Sequence, residues 1–173
     1  MKKLTLPLIA SILLMANTLF AQTARVQVIH NSADAAAAVV DVYLNGAILL
    51  NDFAFRNATG FVDAPAGVEI DLDIAPATSS SVSESIFNKK VTLTEGETYI
   101  VVASGIVSPS GYAPQIPFDL FVFPMGREVA SGATNTDVLV FHGATDAPVV
   151  DVVEPNAQIR LVDNLAFRDF QGY

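Results

Sequence analysis

Cysteine is absent from this 173-residue chain, and so is tryptophan. Without cysteine there is no disulfide framework, no thiolate zinc site and no cysteine nucleophile, so stability has to come from the packed core. Positive charge is scarce: nine Lys and Arg stand against 18 Asp and Glu, a formal net charge of −9. No acidic residue precedes Gln22, so losing Lys2 and Lys3 with the first 21 residues takes the charge from −9 to −11. A chain this acidic repels nucleic acid and anionic lipid headgroups, which excludes both as main partners. A long hydrophobic run is missing as well. The stretch from Leu4 to Phe20 is interrupted by Thr5, Pro7, Ser11, Asn17 and Thr18, leaving a strong core only from Leu8 to Ala16. A bilayer needs about 20 apolar residues, so this core is too short to span one.

What the N-terminus does have is the layout of a bacterial-type secretory signal. Lys2 and Lys3 form a positive n-region, the short apolar core follows, and Ala21 is the expected residue before cleavage. Residues 1–21 are therefore read as a signal peptide. The mature chain is expected outside the cytoplasm (periplasmic, secreted or at the cell surface), with no membrane insertion after cleavage.

Beyond residue 21 the apolar residues recur with period 2, and no segment sustains a 3.6-residue period. Val68, Ile70, Leu72 and Ile74 alternate with Glu69, Asp71 and Asp73, the signature of a half-buried strand. Val40, Val42 and Leu44 alternate with Asp41, Tyr43 and Asn45, and Asn45-Gly46 then supplies a hairpin turn. Further strands are expected at Arg25–His30, Ile48–Asp52, Gly60–Ala64, Glu84–Leu93, Thr98–Val107 and Phe118–Phe123. Short strands at this spacing predict an all-β fold, an antiparallel β-sandwich. Leu93-Thr94-Glu95-Gly96-Glu97-Thr98-Tyr99 has the order of a tyrosine corner, in which the phenol hydroxyl bonds to backbone upstream and fixes the passage between sheets. That favours an immunoglobulin-like or transthyretin-like sandwich over a closed barrel.

The chain also repeats itself. Val26-x-Val28-Ile29-His30 matches Val138-x-Val140-Phe141-His142, Asp34-Ala35 matches Asp146-Ala147, and Val40-Asp41-Val42 matches Val150-Asp151-Val152. Ala54-Phe55-Arg56 matches Ala166-Phe167-Arg168, and Gly60-Phe61 matches Gly172-Tyr173, an offset of 112 residues at both ends. The expected organisation is a complete module over residues 24–124, a linker over 125–135, and an incomplete second copy over 136–173 holding the first strands only. So short a segment cannot bury both faces of a sandwich, which reads as a truncated product or fragment.

The run H-N-S-A-D-A of His30–Ala35, with V-D-V-Y-L-N-G of Val40–Gly46, resembles the opening signature of family 4397 of the domains of unknown function. Pro65–Gly67 (P-A-G) and Leu93–Tyr99 (L-T-E-G-E-T-Y) are similar to the same family's later pattern. The second copy repeats the signature as H-G-A-T-D-A-P from His142 to Pro148, where the first has Ala36 in place of the proline and two extra residues in Ala35–Ala38. The resemblance implies exported bacterial proteins, often built of tandem β-sandwich modules, with no established activity.

Candidate chemistry rests on the repeated sets His30, Asp34, Asp41 and His142, Asp146, Asp151. A His beside carboxylates has the makings of a general base or half a metal site. Yet one module offers a single imidazole, and no nucleophile recurs at this spacing. The plainer expectation is structural: His30 ends a strand and bonds a loop, and Asp34 caps a turn. Glu69, Asp71 and Asp73 stand about 7 Å apart along a strand, too far to share one Ca²⁺, and read as a solvated face. Phe118–Phe123, with Tyr112 in the preceding loop, reads either as a core strand covered by the linker or as an aromatic binding surface. Tyr99, Leu93, Gly96, Asn45 and Gly46 are expected to be structural. No catalytic residue, metal or cofactor is expected. The leading expectation is a non-catalytic module for adhesion or extracellular recognition, its partner an extracellular protein or glycan. The alternative is an exported metal-dependent or hydrolase-associated enzyme using the His/Asp sets.

Overall fold

The computed structural model describes residues 22–156 and 158–173. The expected signal peptide lies outside the described residues. Strand β1 (Thr23–His30) leads through a 3-10 turn (Ala35–Ala37) into β2 (Val39–Leu44), β3 (Ala47–Ala54), β4 (Val62–Pro65) and β5 (Glu69–Pro76). A second 3-10 turn (Val82–Glu84) precedes β6 (Phe87–Thr92), β7 (Thr98–Ser104) and β8 (Asp119–Pro124). The C-terminal part holds β9 (Leu139–Phe141), β10 (Val150–Glu154), β11 (Ile159–Leu165) and β12 (Phe170–Gly172).

Two four-stranded sheets, ordered β4-β1-β7-β8 and β3-β2-β5-β6, form the all-β sandwich expected from the alternation. Val26, Val101 and Leu120 of the first sheet and Val40, Val42, Ile70 and Ile74 of the second are buried in one apolar cluster between them. A side chain such as Ile70, 1% exposed, contributes about 1.5–3 kcal/mol by leaving water. Asn45 and Gly46 make the two-residue turn between β2 and β3. Both have positive φ, 51° and 80°, the left-handed conformation that a tight hairpin twist demands.

One strand pair departs from the expected antiparallel scheme. β1 and β7 run parallel, with Gln27 opposite Ile100 and Ile29 opposite Val102. A parallel pair needs a long crossover, and the whole of β2–β6 lies between these two strands. The corner motif sits where the chain leaves β6 in one sheet for β7 in the other. Tyr99 is buried there, and the Thr94 N–H donates to its hydroxyl at 3.1 Å.

Three local expectations are corrected. Val82–Glu84 is a 3-10 turn, so the strand expected from Glu84 begins at Phe87. Val68 precedes β5 and is 55% exposed rather than inward-facing. The acidic face of β5 is not uniformly solvated: Lys90 pairs with Glu69 and Asp71, while Asp73 is buried and accepts from Asn88 at 2.9 Å.

The aromatic strand is covered on both faces. Phe118 and Leu120 enter the core, while Phe121 and Phe123 point outward under the C-terminal strands. Phe121 meets Phe141 at 5.3 Å between ring centroids, Phe123 meets Phe170 at 5.2 Å, and Phe141 and Phe170 stack at 4.6 Å. Arg168 lays its guanidinium over Phe121 and donates to the Pro117 carbonyl at 3.1 Å. The cover comes from the strands after residue 136, where sequence reading expected the linker.

Candidate functional site

His30 closes β1 with its ring 1% exposed, between Phe53 and Phe55. The Ser32 N–H donates to Nδ1 at 3.3 Å, so the proton sits on Nε2, which donates to the Ala37 carbonyl at 2.7 Å. Burial lowers the imidazole pKa below its usual 6.5, the bond to Ala37 opposing only in part. Both ring nitrogens are thus committed to the backbone, and the ring is held neutral.

Asp34 caps the first 3-10 turn by accepting from the Ala36 N–H at 2.9 Å. Its carboxylate also accepts from the N–H groups of Val107 and Ser108, at 2.8 and 2.6 Å. The Ser108 and Tyr112 hydroxyls donate to it at 2.7 and 3.1 Å. Burial alone would raise its pKa, but the N–H groups of Ser108 and Ala36 and the two hydroxyls outweigh burial and hold it at about 2. Asp34 therefore clasps the loop after β7 to the turn after β1. Asp41, also buried, accepts from the Asp52 N–H at 3.0 Å and from the Ser79 hydroxyl at 2.6 Å. Ser79 in turn meets the Tyr43 hydroxyl at 2.9 Å.

His30, Asp34 and Asp41 thus face three different backbone segments, and no hydrogen bond among the described residues joins them to one another. Among the described residues no three His, Asp or Glu side chains gather where they could hold a metal ion. Ser79 and Ser108 were not found by sequence reading, because neither stands at a spacing that local periodicity exposes. Tyr112 lies in the loop before the aromatic strand, and its hydroxyl serves Asp34 and the Ala35 N–H.

The second set repeats part of this geometry. His142 is buried and donates from Nε2 to the Pro148 carbonyl at 2.9 Å, as His30 does to Ala37. Asp151 accepts from the Asn164 N–H at 2.8 Å, as Asp41 accepts from Asp52, and that bond holds its pKa below the usual carboxylate value. Arg56 and Arg168 both adopt positive φ, 69° and 78°, and their N–H groups donate to the carbonyls of His30 and His142 at 2.8 and 2.9 Å. Asp146 differs from its counterpart Asp34: it is exposed and makes no hydrogen bond among the described residues.

A groove of about 560 Å³ lies over the outer face of β1 and β7. Gln27, Ile29, Ile100 and Val102 form its floor, with β9 and the segment after β8 as walls. The nearby charges are paired: Arg25 grips Glu128 at 2.7 Å, and Arg127 pairs with Asp137.

The family model described as Domain of unknown function (DUF4397) matches residues 24–153, and the chain belongs to that family. The match runs without a break past Pro124 to Val153, so it does not mark residues 136–173 as a separate copy. No curated protein matches the chain.

Proposed function

We propose that this chain is an exported, non-catalytic recognition module that works through its surfaces. The observation carrying this reading is the use made of His30 and Asp34, two of the candidates for chemistry in the sequence. His30 spends both ring nitrogens on backbone, and Asp34 spends its carboxylate on five donors. Groups so committed hold loops in place and have no free proton or lone pair aimed at a substrate. The signal-like N-terminus supports export.

Within this reading, residues 136–173 are a second copy of the first strands of the module. The support is the paired hydrogen bonds of His30 with His142, Asp41 with Asp151 and Arg56 with Arg168. The test is to express the full chain in a bacterial host, fractionate the cells and sequence the N-terminus. A mature protein beginning near Gln22 outside the cytoplasm is expected. Cytoplasmic protein with Met1 intact would overturn export.

A further inference from the structure

The two sheets of the sandwich are latched along one edge and open along the other. Lys89 on β6 reaches across to β8, donating to Asp119 at 2.7 Å and to the Leu120 carbonyl at 2.9 Å, and Phe87 meets Phe118 edge to face at 4.9 Å. The opposite edge is formed by β3 and β4, and among the described residues no hydrogen bond joins those two strands. Behind it, between the sheets, lies a cavity of about 60 Å³. Leu49 and Val62 line its mouth and are 42% and 43% exposed. Leu49 is the extra residue of a bulge, since Val42 pairs with Leu50 and the next residue, Tyr43, with Ile48; a bulge of this kind re-aims a side chain. Deeper in, Val28 and Leu72 line the cavity and are only partly buried, although β1 and β5 have strands on both sides. Every lining residue falls between Val26 and Val122, and β9 and β12 lie on the other face of the first sheet.

The lining decides what fits. Its polar side chains are His30, with both ring nitrogens bonded to backbone, and Asp63, whose carboxylate pairs with Arg25 at 3.1 Å. A buried water needs about two to four polar partners, so water gains little there, and a charged or hydroxyl group would lose its hydration without return. Size then separates the apolar guests. At about 10–15 Å³ for each water-sized group the cavity takes roughly four to six of them, and a methylene is such a group. A benzene ring is held by a cavity of about 150 Å³, well over twice this one.

We propose that the interior of the sandwich binds the end of an alkyl chain, about four to six carbons deep, which enters between β3 and β4 past Leu49 and Val62. The polar end of the ligand stays in water at the rim. So short a buried segment does not offset drawing a lipid tail from a bilayer, which makes the source a free, soluble molecule. The site lies inside the module, so it goes beyond recognition through surfaces and does not depend on that reading.

The test titrates the full chain, with its Val and Leu methyl groups labelled for NMR, with n-butanol, n-pentanol and n-hexanol. Saturable shifts are expected at the methyls of Val28, Leu72 and Val91, with affinity rising about fourfold for each added methylene. Benzyl alcohol should not produce them. Val28→Phe places a ring in the cavity and should abolish the shifts at Leu72 and Val91. Ala64→Leu, a smaller filling change on the edge strand β4, should weaken hexanol at least about tenfold, and it carries the test should the phenylalanine variant not fold. Shifts that stay linear up to about 20 mM hexanol, equal affinity along the series, or benzyl alcohol matching hexanol would overturn the proposal. Neutral phosphatidylcholine vesicles should not sediment the protein; sedimentation that Val28→Phe abolishes would overturn the free source and assign the chain to a lipid tail. Cytoplasmic retention would sink export without touching this result, and failure of the alcohols to bind would leave the surface reading as it stands.

Discussion

Replacing Asp34 by alanine removes one carboxylate from five donors, and its repeat partner Asp146 provides the control inside the same chain. The Val107 and Ser108 N–H groups are fixed by the backbone and cannot turn to find another acceptor. Each buried donor left unpaired costs about 1–3 kcal/mol, while the Ser108 and Tyr112 hydroxyls can rotate toward water at less cost. Asp34→Ala is therefore expected to lose about 3–5 kcal/mol, a large part of a domain's usual stability. Asp146→Ala, at an exposed side chain without these bonds, should stay within about 0.5 kcal/mol. Urea unfolding at neutral pH reads the difference. With a slope near 2 kcal/mol per molar, a loss of 4 kcal/mol moves the midpoint by about 2 M. The pH dependence adds an independent arm. The folded pKa of about 2 lies below the unfolded 3.8, so this stability is fully present above 3.8 and is lost as pH falls through 2. After allowance for solvent screening near the surface, that component is about 1–2 kcal/mol, and Asp34→Asn should abolish it. Equal losses from Asp34→Ala and Asp146→Ala would refute the reasoning, because burial and bonding would then not set the cost.

Three further outcomes are expected. Tyr99→Phe keeps the ring but removes the acceptor for the Thr94 N–H, and should cost about 1 kcal/mol in the same urea assay, with no change meaning that the corner is held by packing alone. His30 has its folded pKa below the unfolded 6.5, so its contribution is intact above 6.5 and lost as pH falls through the folded value; the melting temperature should drop over that acid range, and His30→Gln should flatten the drop. EDTA should leave the melting temperature unchanged, and so should modest excesses of Zn²⁺ or Ca²⁺. A metal at 100 times its Kd would add about 2.7 kcal/mol, and such a gain abolished by His30→Ala would replace the structural account of these residues with a metal site.

Local chemistry determined a good deal of this protein by itself. Period-2 alternation located β1, β2, β5, β7 and β8 to within a few residues, because inward and outward side chains must alternate along any strand with one buried face. Asn45-Gly46 announced a hairpin because few other dipeptides accept positive φ twice. Leu93 to Tyr99 announced the corner because its hydrogen bond spans only five residues. Tertiary structure alone decided the parallel pairing of β1 with β7, since no local pattern records which distant strand arrives at an edge. It also decided that Asp34 is buried under the 107–112 loop while Asp146, in a matching sequence context, is exposed. The two carboxylates stand at matching places in the repeated pattern, each followed by an alanine, and differ in what the rest of the fold brings to them. Burial is a property of those distant partners, and so is the role of each residue.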